Sequence, residues 1–138
     1  MINKDEEGNL WIGTEDAGLN YFNSQEKSII PVSAHLEHYN VHGLCVIDDE
    51  LYVGVYSGGL NIYNLNTGAV KRYYISDERY NVQNSIYAIY QDTKGTVFCL
   101  KFDSAPAARF FSIHVLYYSL RAYMFNRCSE GRLWISLL

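Results

Sequence analysis

No apolar run in the chain approaches the roughly 18 residues needed to span a bilayer as a helix, and Met1-Ile2-Asn3-Lys4-Asp5 opens no apolar core of a signal peptide. Taken literally, the chain is expected in the cytoplasm with no membrane segment of its own. Cysteine is scarce: Cys45, Cys99 and Cys128 form an odd set, 54 and 29 residues apart, with no C-x-x-C. A disulfide is not expected, and Cys45 and Cys99 read as small buried hydrophobes in strand-like runs. Lys and Arg are scattered and the net charge is −4, so no basic footprint for nucleic acid is present. Helix-period stretches are absent as well. Also missing are a Ser-His-Asp order, a nucleophile elbow, a phosphate loop and paired carboxylates with a shared pocket. The sequence therefore names no catalytic residue and implies no cofactor, and it reads as a binding module rather than an enzyme.

What is present is a core and a repeat. Across 138 residues, 49% hydrophobic and 15% aromatic content is enough for one folded domain, and thirteen Tyr against two Pro suit a strand-rich chain. The stretch Gly8-Asn9-Leu10-Trp11-Ile12-Gly13-Thr14, then Gly18-Leu19-Asn20-Tyr21-Phe22, returns as Leu51-Tyr52-Val53-Gly54, then Gly59-Leu60-Asn61-Ile62-Tyr63. The step from aromatic (Trp11, Tyr52) to glycine (Gly18, Gly59) is seven residues both times. Weaker copies follow at Gly95-Thr96-Val97-Phe98-Cys99-Leu100 and Gly131-Arg132-Leu133-Trp134-Ile135-Ser136, so the aromatic positions 11, 52, 98 and 134 are 41, 46 and 36 apart. Self-similarity at about 40 to 50 residues, with several strands per unit, marks propeller blades. Apolar triplets fit strands covered on both faces, and Gly13 and Gly54 stand where a neighbouring backbone would come close.

The expected architecture is an all-β partial propeller of about three four-stranded antiparallel blades, incomplete at both ends. Residues 4–32 read as the end of a blade, with strands over 9–14, 18–23 and 28–32. A full blade follows over 41–76, with strands at 41–47, 50–55, 60–64 and 69–76. A degenerate blade covers 85–116, with strands at 85–91 and 96–102 and a bend at Pro106. Residues 112–128 show neither alternation nor a helical face, and a blade start is expected over 121–138. An open arc leaves bare edges, so the remaining blades of a longer protein or another copy of the chain are the expected partners.

Three groups could carry chemistry. His35, His38 and His42, with Glu37 between, have ligand-like spacing, but a polar loop between blades is the expected reading and no metal site is assigned. Asp48-Asp49-Glu50 could face a hard cation, yet a two-residue hairpin asks for Asp in any case. Tyr39-Asn40-Val41 and Tyr80-Asn81-Val82 recur 41 residues apart in loops that lead to an inner strand. Such loops cluster on one propeller face, where tyrosine rings and asparagine amides suit sugars. The candidate ligand-binding residues are Tyr39, His42, Tyr80 and Asn81. The alternative reading has Tyr covering a blade edge and Asn capping a turn.

Asp5 to Asn20, read as D-x-x-G-N-L-W-I-G-T-x-x-x-G-L-N, and Ile86 to Gly95, read as I-Y-A-I-Y-Q-D-T-K-G, resemble the two-component regulator propeller repeat of sensor regions in bacterial hybrid histidine kinases. The resemblance covers residues 3–103 well and 104–138 loosely. Phe98-Cys99-Leu100-Lys101 lacks the family's glycine, and Ser136-Leu137-Leu138 replaces its Gly-Thr. It implies a periplasmic sensor that binds an oligosaccharide and signals through an attached histidine kinase absent from these residues. A protein-interaction scaffold without a small ligand is the other function a propeller of this kind could serve.

Overall fold

The repeated sequence builds repeated turns. In a computed structural model that describes residues 1–32, 36, 38–74, 84–101 and the strand backbones of 109–114 and 133–134, Asp5 Oδ1 accepts from the Asn9 amide at 2.8 Å. Asp92 Oδ1 likewise accepts from the Lys94 and Thr96 amides at 2.9 and 2.8 Å. Asn23 Oδ1 receives the Gln25 and Glu26 amides, and Asn64 Oδ1, 41 residues on, receives those of Asn66 and Thr67. Short polar side chains thus close each turn by bonding their own backbone, which fixes where one strand ends and the next begins. The Asn of Gly-Leu-Asn has a similar duty in both copies. Asn20 Nδ2 donates to the Ala17 carbonyl and Asn61 Nδ2 to that of Gly58, pinning the turn before the third strand.

Twelve strands result among the described residues, in three four-stranded sheets. The first is an antiparallel meander of β1 (Ile2–Lys4), β2 (Leu10–Gly13), β3 (Leu19–Asn23) and β4 (Ser28–Pro31). The second repeats it with β5 (Val41–Ile47), β6 (Glu50–Val55), β7 (Gly59–Asn64) and β8 (Val70–Tyr73). The third holds β9 (Ile86–Gln91), β10 (Thr96–Lys101) and β11 (Arg109–His114), with β12 (Leu133–Trp134) on the far side of β11. No α-helix occurs among the described residues, and none there is long and apolar enough to cross a membrane.

Alternation assigns each side chain to a neighbour. Leu51, Val53, Val55 and Tyr63 point from the second sheet to the first, in one cluster with Leu19, Val41 and Leu44 and with Trp11 packed against it. Tyr52, Leu60 and Ile62 point the other way and meet Ile86, Ile89, Val97 and Cys99 of the third sheet. The second sheet is therefore apolar on both faces, as its unbroken Leu51–Val55 run requires. β1 and β2 lie against β5, and β5 and β6 against β9, so the first strands stand side by side and the sheets fan outward from them. This is an open, three-sheet β-propeller arc.

Two expectations need correction. The first unit is a whole sheet, because Ile2–Lys4 pairs with β2 (Ile2 opposite Ile12, Lys4 opposite Leu10). Three residues are too short to show a period, so the strand was illegible. Trp134 does not match Trp11, Tyr52 and Phe98, which lie on the second strands β2, β6 and β10. Instead Leu133 and Trp134 pair in parallel with Phe111 and Ser112. The segment extends the β11 edge rather than taking a second-strand place, because β10 already pairs with β9 on one side and β11 on the other. The expected blade start thus joins the third sheet where it is described, and residues 121–132 and 135–138, like Pro106 and Cys128, lie outside the described residues.

Burial in these interfaces has a measurable signature. It pushes the Cys99 thiol from 9.0 up to about 12, with Cys45 adding to the shift. Burial also pushes the Tyr63 hydroxyl from 10.0 up to about 12 against a smaller opposing pull from Arg72. Above pH 9 to 10 the unfolded chain releases these protons while the folded chain keeps them. Stability is thus fully present below about pH 9 and falls as pH rises toward about 12. Urea unfolding at about pH 8 and about pH 11 should show a clearly lower midpoint at the higher value.

Candidate functional site

In an antiparallel meander the starts of the first and third strands and the ends of the second and fourth share one end of the sheet. That end gathers the segment leading into β5, the turn at 56–58 after β6, and the start of β9. Backbone bonds strap it together: the Gly18 amide donates to the Tyr39 carbonyl at 2.9 Å, Val41 to Thr14 at 2.8 Å, and Tyr56 to Asn40 at 2.9 Å. Residues 39–41 are thereby tied to the first and second sheets at once. The Ser57 amide donates to Ser85 Oγ at 2.9 Å, linking the second sheet to the third.

His42 sits on this end for a specific reason. Val41 is opposite Val55 and Gly43 is opposite Gly54, so His42 is the extra residue of a β-bulge. β9 carries the same irregularity: Ile86 is opposite Lys101 and Ala88 opposite Leu100, leaving Tyr87 as the extra residue. A bulge re-aims a side chain out of the alternation. The two bulged side chains meet, with ring centroids 4.8 Å apart and planes at 50°. Tyr56 adds a third ring 6.4 Å from His42, also at 50°. Tyr39, 58% exposed, stands on the same end. Tilted rings combined with hydroxyls and an imidazole offer apolar faces plus donors and acceptors, which matches the alternating C–H and O–H surface of a sugar.

Of the residues chosen from sequence, Tyr39 and His42 share this end, while Tyr80 and Asn81 lie outside the described residues. Tyr56 and Tyr87 were missed. Tyr87 stands in Ile86-Tyr87-Ala88-Ile89, where nothing announces a bulge, and Tyr56 follows the apolar run as an ordinary turn residue. His38 lies near Gly58, whereas His35 and Glu37 are outside the described residues. Among the described residues no group of three His, Cys, Asp or Glu could hold a metal ion. Asp48 and Asp49 lie at the opposite end of the sheets. There, with Asp5, Glu6, Glu7, Trp11 and Tyr21, they line an open cavity of about 690 Å³. The Tyr21 and Trp11 rings meet tilted at 47° with centroids 4.6 Å apart, and burial followed by Asp5, Glu7 and Glu26 holds the Tyr21 hydroxyl above its ordinary range.

No protein-family model matches the chain, and no curated protein matches it. Solved structures do. The chain is similar to the extracellular domain of a protein named as a hybrid two-component system from B. thetaiotaomicron, at 22% identity over 80% of this chain and 15% of that one, with a TM-score of 0.62. It is also similar to the extracellular domain of a protein named as a one-component system from the same organism, at 21% identity over 97% of this chain and 18% of that one, TM-score 0.60. The computationally designed Ika8 protein matches at 12% identity over 80% of this chain and 31% of that one, TM-score 0.56. These likenesses show the fold, and the chain spans less than a third of each of the three.

Proposed function

We propose that this chain is the recognition part of a two-component-type sensor and binds an oligosaccharide on the end carrying Tyr39, His42, Tyr56 and Tyr87. The single observation that carries the reading is the pair of matched bulges that turn His42 and Tyr87 toward each other from two different sheets. A site that straddles two sheets can report a ligand as a change in how the sheets sit, provided the ligand binds one arrangement better. Two further facts support a sensory role outside the cell membrane: the likeness to extracellular domains of two such systems and the resemblance of residues 5–20 to the two-component regulator propeller repeat. On this reading the chain recognises and does no chemistry, and signalling falls to domains attached elsewhere in a longer protein.

Calorimetric titration of the chain with a panel of oligosaccharides released by polysaccharide breakdown tests this. At least one should bind, and His42→Ala and Tyr87→Ala should each weaken it about tenfold or more, roughly 1.4 kcal/mol. Tyr90→Ala serves as control, since Tyr90 is 63% exposed on the other face of β9 and should leave binding unchanged. Absence of heat with every sugar, together with capture of a defined protein partner, would replace this reading by the scaffold function.

A further inference from the structure

The turn after β6 has few constraints of its own. Gly58 and Gly59 follow each other in it, and the Gly58 amide meets the Val55 carbonyl only at 3.4 Å. Ser57 adopts φ 54°, in the left-handed region that side chains avoid, and is 7% exposed. A buried backbone amide needs a partner, and this one finds it on another sheet, in Ser85 Oγ at 2.9 Å. Ser85 is itself fully buried, one residue ahead of β9 and two ahead of the bulged Tyr87. Tyr56 therefore lies between two anchors. Its own amide donates to the Asn40 carbonyl, and the next amide along donates to Ser85.

The interface between the first and second sheets makes the equivalent turn without this clasp. Gly18 matches Gly59, so Glu15 and Asp16 stand where Tyr56 and Ser57 do. Val41 fills the space left at Gly13 as Ile86 fills that at Gly54, so Asn40 stands where Ser85 does. There Asn40 Oδ1 is buried with no partner among the described residues, and the turn from Thr14 to Gly18 carries no aromatic ring. A bond that served only to join neighbouring sheets would be as useful at that first interface. Instead the hydroxyl clasp and the aromatic turn occur together, where His42 and Tyr87 meet.

We propose that Ser85 is the positioning residue of the recognition end: its Oγ holds the Ser57 amide, fixes the left-handed turn and so aims Tyr56 at His42. This rests on reading that end as the recognition site, and it names a buried residue that shapes the site from beneath. Without the acceptor the Ser57 amide is buried and unpaired, and the turn reorients to relieve both that and its left-handed backbone. Tyr56 then swings away from His42.

Proton NMR of the full chain with no sugar present tests this, the His42 signals being assigned by their loss in His42→Gln. The unaltered chain should show cross-relaxation from the His42 ring to the rings of both Tyr56 and Tyr87. Ser85→Ala should lose the His42–Tyr56 signals and keep the His42–Tyr87 ones. Tyr56→Ala should shift the His42 ring protons in the unaltered chain and leave them in place on the Ser85→Ala background. Should Ser85→Ala not fold, Ser85→Cys, which nearly keeps the volume with a weaker acceptor, gives the same reading. Retention of the His42–Tyr56 signals in the folded Ser85 variant overturns the proposal, as does their absence from the unaltered chain. Loss of both contacts together, or failure of both variants to fold, overturns it too by making Ser85 a structural bond between sheets. Because no sugar is used, a panel without a binder and a Ser85 without effect on Tyr56 are separate results.

Discussion

Gly54→Leu in the chain's own second sheet should lower unfolding free energy by about 3 kcal/mol or more, at or beyond the upper end of overpacking costs. The reason is what stands in the way. A Cβ there would lie 2.7 Å from Ile86 Cγ2 and 2.8 Å from the Ile86 carbonyl oxygen, and Ile86 is fully buried. A flexible side-chain tip could swing aside, but a carbonyl in a first strand moves only if β9 moves. β9 is packed on both β5 and β6, so the second and third sheets would have to part and expose Tyr52, Ile62, Val97 and Cys99. Gly68→Ala is the control: Gly68 has φ +72° with nothing within 4 Å of a built Cβ. It should show only the left-handed penalty of about 1–2 kcal/mol. Equilibrium urea unfolding of the two variants separates crowding from conformation, and a Gly54→Leu loss no larger than that of Gly68→Ala would mean the sheets are not held at this distance.

Where sequence was informative, it was so because one physical rule acted on consecutive residues. Leu51 to Val55 must be apolar to meet a sheet on each side, and turn chemistry at Asp5, Asn23, Asn64 and Asp92 depends on neighbours two to four residues away. Both signals are local, so the second sheet, the second strands of all three sheets and most turns could be read directly. The site was legible only in part. Tyr39 and His42 came from a recurrence in the loops, but their partners Tyr56 and Tyr87 depend on bulges, and a bulge is a one-residue offset between two strands with no trace in either strand alone. Trp134 failed for the opposite reason. Its motif is local and present, yet a strand's place in a sheet is decided by the edge available to it, and Leu133–Trp134 found that of β11.

Equivalent places in the repeat need not carry equal weight, and Tyr52→Ala against Trp11→Ala should show it. Tyr52 is 1% exposed, set among Ile47, Leu60, Ile62, Ile86 and Val97. Its hydroxyl donates to Glu50 Oε2 at 3.1 Å. Truncating a large buried side chain there should cost about 3–5 kcal/mol, because rigid strands on both sides cannot collapse onto the void. Tyr52→Phe keeps the ring and loses only the hydrogen bond, so about 1 kcal/mol is expected. Trp11 occupies the matching second-strand position but is half-buried, borders the open cavity at the acidic end, and meets the half-buried Tyr21 at a tilt of 47°. Solvent can fill the space it vacates and Tyr21 can lean into it, so its truncation should cost less than that of the smaller Tyr52. Thermal and urea unfolding of the three variants give the ordering, and a larger loss for Trp11→Ala would place the chief core of this chain between the first and second sheets instead of between the second and third.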